Sequence, residues 1–125
     1  MSKKSWLVAL ALALGGVLLT DAPIEGGVLD VSWIVPIANT DGSPLTELAL
    51  FRVYYSIFDS PCPGSTFVEV ASSTSIPPPN QKIIFQLKGL KAGSFYSVSV
   101  TAVDTHGKES ACSDTASAVA RDDAH

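Results

Sequence analysis

The stretch from Leu87 to Ala102 constrains this chain more than any other. From Tyr96 onward apolar residues stand at every second position, Tyr96, Val98, Val100 and Ala102, with Ser97, Ser99 and Thr101 between them. A period of two describes an extended strand whose apolar face is buried and whose polar face meets water. Gly89 and Gly93 bracket Leu90 just ahead of it. Glycines so placed predict a tight corner feeding the strand, because they reach backbone angles closed to other residues.

At 125 residues there is room for one domain and a short appendage. A domain of about 100 residues buries well over half of the surface its unfolded chain exposes, so a stable core needs no metal. Residues 23–125 hold six Lys/Arg against eleven Asp/Glu, a net charge of −5. A mildly acidic chain without a Lys/Arg cluster lacks the phosphate contacts that supply most nucleic-acid affinity, so nucleic acid is not an expected partner.

Three further pieces accompany residues 87–102, which match Leu-x-Gly-Leu-x-x-Gly-x-x-Tyr-x-Val-x-Val-x-Ala throughout. They are Leu29-Asp-Val-Ser-Trp33, Phe51-Arg-Val-Tyr-Tyr55 and Asp104-Thr-His-Gly-Lys-Glu-Ser110. On these motifs and their order the chain resembles the fibronectin type III domain over residues 23–120. The resemblance implies an all-β, immunoglobulin-like sandwich of two sheets and about seven strands. It also implies that Trp33 is the core tryptophan of the B strand, and that residues 51–55 form the C strand with Phe51 where tyrosine is more usual. This sandwich hosts many unrelated roles, so it does not by itself supply a function.

The N-terminus reads as a targeting segment. Lys3 and Lys4 precede Trp6–Leu19, fourteen residues without a charge. A basic start and a short apolar run describe a secretory signal. As a helix, the run rises roughly 21 Å, short of the ~30 Å hydrocarbon core, which favours cleavage over spanning. Thr20-Asp-Ala22 ends in a small residue but is followed by Pro23, and Ala13-Leu-Gly15 lies inside the apolar run. Residues 1–22 are therefore a signal peptide or an uncleaved membrane anchor, with any membrane contact running through residues 6–22. Both fates keep the lysines cytoplasmic and export the domain, making it secreted, periplasmic or anchored on the outer side.

In chain order, the resemblance predicts an A strand at residues 23–27 with Ile24 reaching the core. The B strand follows with Leu29, Val31 and Trp33 inward. Asn39–Pro44 is dense in turn formers, and its Asn39 and Asp41 suit a turn better than a calcium loop. On the C strand Phe51, Val53 and Tyr55 face in, with Arg52 and Tyr54 out. Residues 67–71 make a C′ strand, and Ile83, Phe85 and Leu87 make the E strand. Tyr96 is expected to be a tyrosine corner, its hydroxyl bonded to backbone a few residues upstream. Residues 111–120 form the last strand, and 121–125 a frayed tail. The expected core is Trp33, Phe51, Val53, Tyr96, Val98 and Val100.

Cys62 and Cys112, an even count in an exported chain, are read as one disulfide. In the resembled topology the two positions tend toward opposite ends of the sandwich, while a bridge needs Cα atoms within ~7 Å. The run from Ser56 to Thr66 is long enough to fold back along the sheet and bring them together.

Catalytic chemistry finds no purchase. The two histidines are His106, in a loop, and His125, at the end. Asp104, His106 and Glu109 share one loop, a grouping that turn composition explains. There is no Gly-x-Ser-x-Gly and no oriented base beside a nucleophile. No catalytic, cofactor-binding or metal-ligating residue is expected, and the chain is read as non-enzymatic. Alternation points Tyr54, Phe95 and Val103 out of one sheet on adjacent strands. They are either scattered exposed side chains or a contiguous contact surface. The resulting expectation is a non-catalytic extracytoplasmic module that serves structure or binds another protein. Its rivals are a membrane-anchored accessory subunit of a larger complex, and a carbohydrate-binding module using Tyr54 and Phe95.

Overall fold

The computed structural model describes residues 11–15, 25–39, 41–58 and 60–122. Among them are eight strands: β1 (Ala11–Gly15), β2 (Glu25–Ile34), β3 (Leu48–Ser56), β4 (Phe67–Ala71), β5 (Lys82–Lys91), β6 (Phe95–Asp104), β7 (Ala116–Val119) and β8 (Arg121–Asp122). One sheet runs β1-β2-β5 with β8 also on β2, and the other runs β4-β3-β6-β7. All strand pairs are antiparallel. This is an all-β two-sheet sandwich consistent with an immunoglobulin-like or fibronectin type III-type fold.

The period-two pattern fills the space between the sheets. Leu29, Val31 and Trp33 of β2 and Leu87 of β5 meet Phe51 and Val53 of β3 and Val98, Val100 and Ala102 of β6. Trp33 packs edge-on against Phe51, with ring centroids 5.3 Å apart. Each large aliphatic or phenyl side chain so buried contributes roughly 1.5–3 kcal/mol by leaving water. The six core residues read from the sequence, Tyr96 included, are all buried.

The corner before β6 forms as its residues require. The Lys91 backbone N–H donates to the Tyr96 hydroxyl at 2.9 Å, five residues upstream. Gly27 faces this corner so closely that a Cβ there would lie 2.7 Å from Ala92 N and 2.9 Å from Leu90 O. Only glycine fits, and the pairing of β2 with β5 shifts register on both sides of it.

Both ends of the chain depart from expectation. Residues 25–27 of the expected A strand are the start of β2, and residues 23–24, Ile24 among them, lie outside the described residues. The neighbour of β2 at that edge is β1, whose residues pair from Ala11 with Ile34 to Gly15 with Asp30. The signal or anchor helix expected over residues 1–22 otherwise falls outside the described residues, and no described helix is long and apolar enough to cross a membrane. At the other end the tail is docked where it begins. Arg121 and Asp122 pair with Val28 and Gly27, and the Arg121 guanidinium grips both oxygens of Asp30 at 2.9 and 3.3 Å.

Candidate functional site

The outer face of β3 and β6 is where the sequence places an apolar contact patch. The structure corrects this. Tyr54 and Val103 are each only 3% exposed, and of the three residues Phe95 alone stands out, at 58%. The polar face of β6 is not wet either, since Ser97, Ser99 and Thr101 are all buried. Alternation set their direction correctly, but a second layer of chain lies over them.

Two segments account for this. Residues 109–113 pair along the edge of β6 and send the Glu109 side chain over its outer face. The loop after β3 crosses to Cys112. Glu109 reaches over β6 and accepts hydrogen bonds from the Tyr54 hydroxyl, from Thr101 Oγ1 at 2.7 Å and from Arg52 Nη1 at 3.1 Å. Arg52 also donates Nε to Glu69 at 3.1 Å and lies 4.8 Å above the Phe67 ring. Burial first, then the bond to Glu109, pushes the Tyr54 phenol above its ordinary value, with Arg52 opposing. Two serines complete the cover. Ser110 and Ser113 donate their backbone N–H groups to the Ala102 and Val100 carbonyls at 2.8 and 3.0 Å. Their hydroxyl oxygens accept the Ala102 and Val100 N–H groups, each at 2.9 Å. Ser99 Oγ donates to the Ser113 carbonyl at 2.8 Å. Every buried hydroxyl on this face thus has a partner, which is the condition for burying it without penalty.

Cys62 and Cys112 are bridged, with Cα atoms 6.0 Å apart across a sequence separation of 50. Ser113 bonds to β6 on the side away from β3, so the loop that leaves β3 crosses β6 to bring Cys62 there. The fold-back allowed by the length of residues 56–66 is what the chain adopts. A disulfide of this kind is typical of an extracellular domain.

The two ends of the sandwich differ in chemistry. Ser56 pairs with Ser97, so Ile57 and Phe58, which follow β3, share an end with Phe95, which opens β6. These are 60%, 73% and 58% exposed. Beside them a cavity of about 320 Å³ opens between Pro61, Thr66, Tyr55 and Tyr96. At the opposite end Leu48 pairs with Asp104, and Glu47 meets the turn after β6. Its carbonyl accepts the Thr105 N–H at 2.8 Å, and His106 Nδ1 lies 3.3 Å from Glu47 Oε1. Asp104 Oδ1 accepts the backbone N–H groups of His106 and Lys108 at 2.9 and 2.8 Å. Within residues 104–109 the sequence suggests Asp104, His106 and Glu109 as a group, but the fold sends Glu109 to Tyr54 and brings in Glu47. No local signal names Glu47, which lies more than fifty residues away in the chain.

No protein-family model matches this chain, and no curated protein matches it. Solved structures similar to it include the following two. The crystal structure of β-1,2-glucanase from Parabacteroides distasonis is 24% identical with a TM-score of 0.45, over 90% of this chain and 13% of that one. The twitchin kinase region from C. elegans is 19% identical with a TM-score of 0.44, over 78% of this chain and 15% of that one.

Proposed function

We propose that this chain is an exported fibronectin type III-type domain that acts without catalysis, binding another protein through the end formed by Ile57, Phe58 and Phe95. The observation that carries the reading is the exposure of three large apolar side chains at one end of a sheet on whose outer face Tyr54, Ser97, Ser99, Thr101 and Val103 are buried. Exposed aromatics enrich the cores of protein interfaces and carry much of their binding energy. The loop bearing Ile57 and Phe58 is held by the Cys62–Cys112 bridge, which cuts the ordering cost of association. The contact therefore moves from the outer face to the end of the sandwich. A carbohydrate platform fits less well, since Tyr54, one of its two aromatics, is buried.

Site-specific photocrosslinking in the source cells tests this. A photoreactive residue at position 58 or 95 should capture a discrete protein partner, and one at position 84, exposed on the other sheet, should not. Equal capture from position 84, or none from 58 and 95, would overturn the assignment. A second reading, an anchored accessory subunit, draws on the fourteen uncharged residues of Trp6–Leu19. Intact mass separates the two: loss of about twenty N-terminal residues means secretion, and a retained Met1 means an anchor.

A further inference from the structure

β2 has neighbours on both sides, and they differ in origin. β5 pairs with it from Leu29 to Ile34. On the other side β8 holds only Gly27 and Val28, and β1 takes Asp30 to Ile34. β1 lies within the apolar run that cleavage at export would remove. We propose that Asp30–Ile34 is a strand-acceptor edge, filled by residues 11–15 in the full chain and, once residues 1–22 are cleaved, by an extended apolar segment of a protein partner. The proposal rests on the cleaved form of the export reading and is separate from the contact at Phe58.

Antiparallel pairing decides which backbone groups face that edge. Residues along such a ladder alternate between pairs that exchange both hydrogen bonds and pairs that exchange none. The Val35 N–H donates to the Gln81 carbonyl at 2.9 Å, and the register with β5 is unbroken from Ile34 back to Leu29. Trp33, Val31 and Leu29 therefore turn their backbone groups to β5. Ile34, Ser32 and Asp30 turn theirs the other way, opposite Ala11, Ala13 and Gly15. Without β1, each of these three leaves an N–H and a C=O unpaired in a row. A row of that kind is a template for another strand.

Among the described residues no other segment can take the place of β1. β8 pairs first with Val28 and then with Gly27, so it runs away from Asp30. β2 itself begins at Glu25, and the two residues between the cleavage point and Glu25 are too few to turn and pair. What the edge accepts is shown by what fills it. β1 reads Ala-Leu-Ala-Leu-Gly, without a charge, and sets Leu12 opposite Trp33 and Leu14 opposite Val31 in the register. Trp33 and Val31 are core residues, 1% and 0% exposed. A replacement strand with large apolar residues at those two positions continues the core across the new pair. One with polar residues there would bury them beside apolar neighbours at a cost. The partner segment is therefore extended, uncharged over about five residues, and apolar at alternate positions.

Amide exchange tests it. In the full chain the amides of Asp30, Ser32 and Ile34 should be protected. Ala13→Pro removes the N–H that meets Ser32. It should speed exchange at those three at least tenfold, while Val31 and Trp33, bonded to β5, keep their protection. Leu12→Pro, whose N–H faces away from β2, should leave all five protected. A synthetic peptide of residues 9–17 flanked by lysines should restore protection to the Ala13→Pro protein, and its own Ala13→Pro version should not. The peptide should also protect the same three amides in the protein recovered from the source cells. Unprotected amides in the wild-type full chain, or a peptide that restores nothing, would overturn the edge. Should Ala13→Pro fail to fold, the recovered protein with the peptide decides. A dimer of that protein with the three amides already protected would mean that a second copy fills the edge, and would overturn the partner. Intact mass reads the export premise by itself. A retained Met1 means that the edge stays filled by β1, which overturns the partner while peptide uptake by Ala13→Pro still reports the edge.

Discussion

β5 and β6 are both ten-residue strands, one in each sheet, with alternating sequences. Their outward faces have opposite fates. On β5 the outward residues include Lys82, Ile84, Gln86 and Lys88, and Ile84 is 73% exposed. On β6, beyond the exposed Phe95 at its start, they are Ser97, Ser99, Thr101 and Val103, and those four are buried. The apolar residue is in water and the hydroxyls are not. Alternation defines two faces but does not say which meets solvent, because that depends on what the rest of the chain lays over them. Small hydroxyl side chains let a second layer approach β6, and they supply the hydrogen bonds that layer needs. β5 has no such layer: Lys82, Ile84 and Lys88 are exposed, and Gln86 lies half-buried beside Asp30.

The core common to both strands sets the largest effect. Trp33→Ala should cost about 3–5 kcal/mol, a large part of a small domain's stability. Trp33→Phe should cost less, since it keeps a ring against Phe51 and removes an indole N–H that finds no acceptor. A Trp33→Ala melt matching the wild type would remove the basis of the core assignment. Next comes the cover on β6. Changing Cys62 and Cys112 together to serine should cost roughly 2–4 kcal/mol. It should also speed amide exchange at residues 97–101 more than at 83–87; equal acceleration on both strands would mean the loop does not shield β6.

Smaller changes sharpen the contrast. Ser99→Ala strips the partner from the Ser113 carbonyl in a buried site and should cost about 1–2 kcal/mol. Tyr54→Phe should cost a similar amount at neutral pH, because Glu109 keeps Thr101 and Arg52 but loses the phenol. It should also alter the alkaline limb. The folded protein holds the Tyr54 phenol protonated above its ordinary value near 10, chiefly through burial. Stability from this group is therefore complete below about pH 10 and declines as pH climbs through the raised value. The Tyr54→Phe protein should lack that part of the decline in a pH series of urea melts, and an unchanged slope would count against it. Last, Ile84→Ser should shift stability by no more than about 0.5 kcal/mol. A loss larger than that of Ser99→Ala would reverse the comparison.

Much of this architecture is legible in the chain. Alternation identifies the inward set from Leu29 to Ala102, and the motif before β6 announces the corner that Tyr96 closes. An even cysteine count and a long loop suffice for the bridge. What was not legible depends on where distant segments lie. Tyr54 and Val103 point outward as read but are buried, and Glu109 reaches Tyr54 from a turn whose path sequence does not specify. Glu47 joins Asp104 and His106 only because β3 and β6 pair in the register that they do. β1 was not legible for a different reason: the apolar run was read as a targeting segment, and its pairing with β2 over residues 11–15 is a long-range contact that periodicity alone does not reveal.

The serines of residues 110–113 have a consequence for how these molecules treat one another. A flat edge strand offers a row of free amides and carbonyls on which another chain can add, the first step toward fibrous aggregates. Beyond β6 the sheet continues into a segment that spends two hydroxyls where a regular strand would use carbonyls, and regular pairing resumes only at β7, four residues long. An incoming strand meets a broken rhythm of donors and acceptors, which disfavours adding to the sheet from that side.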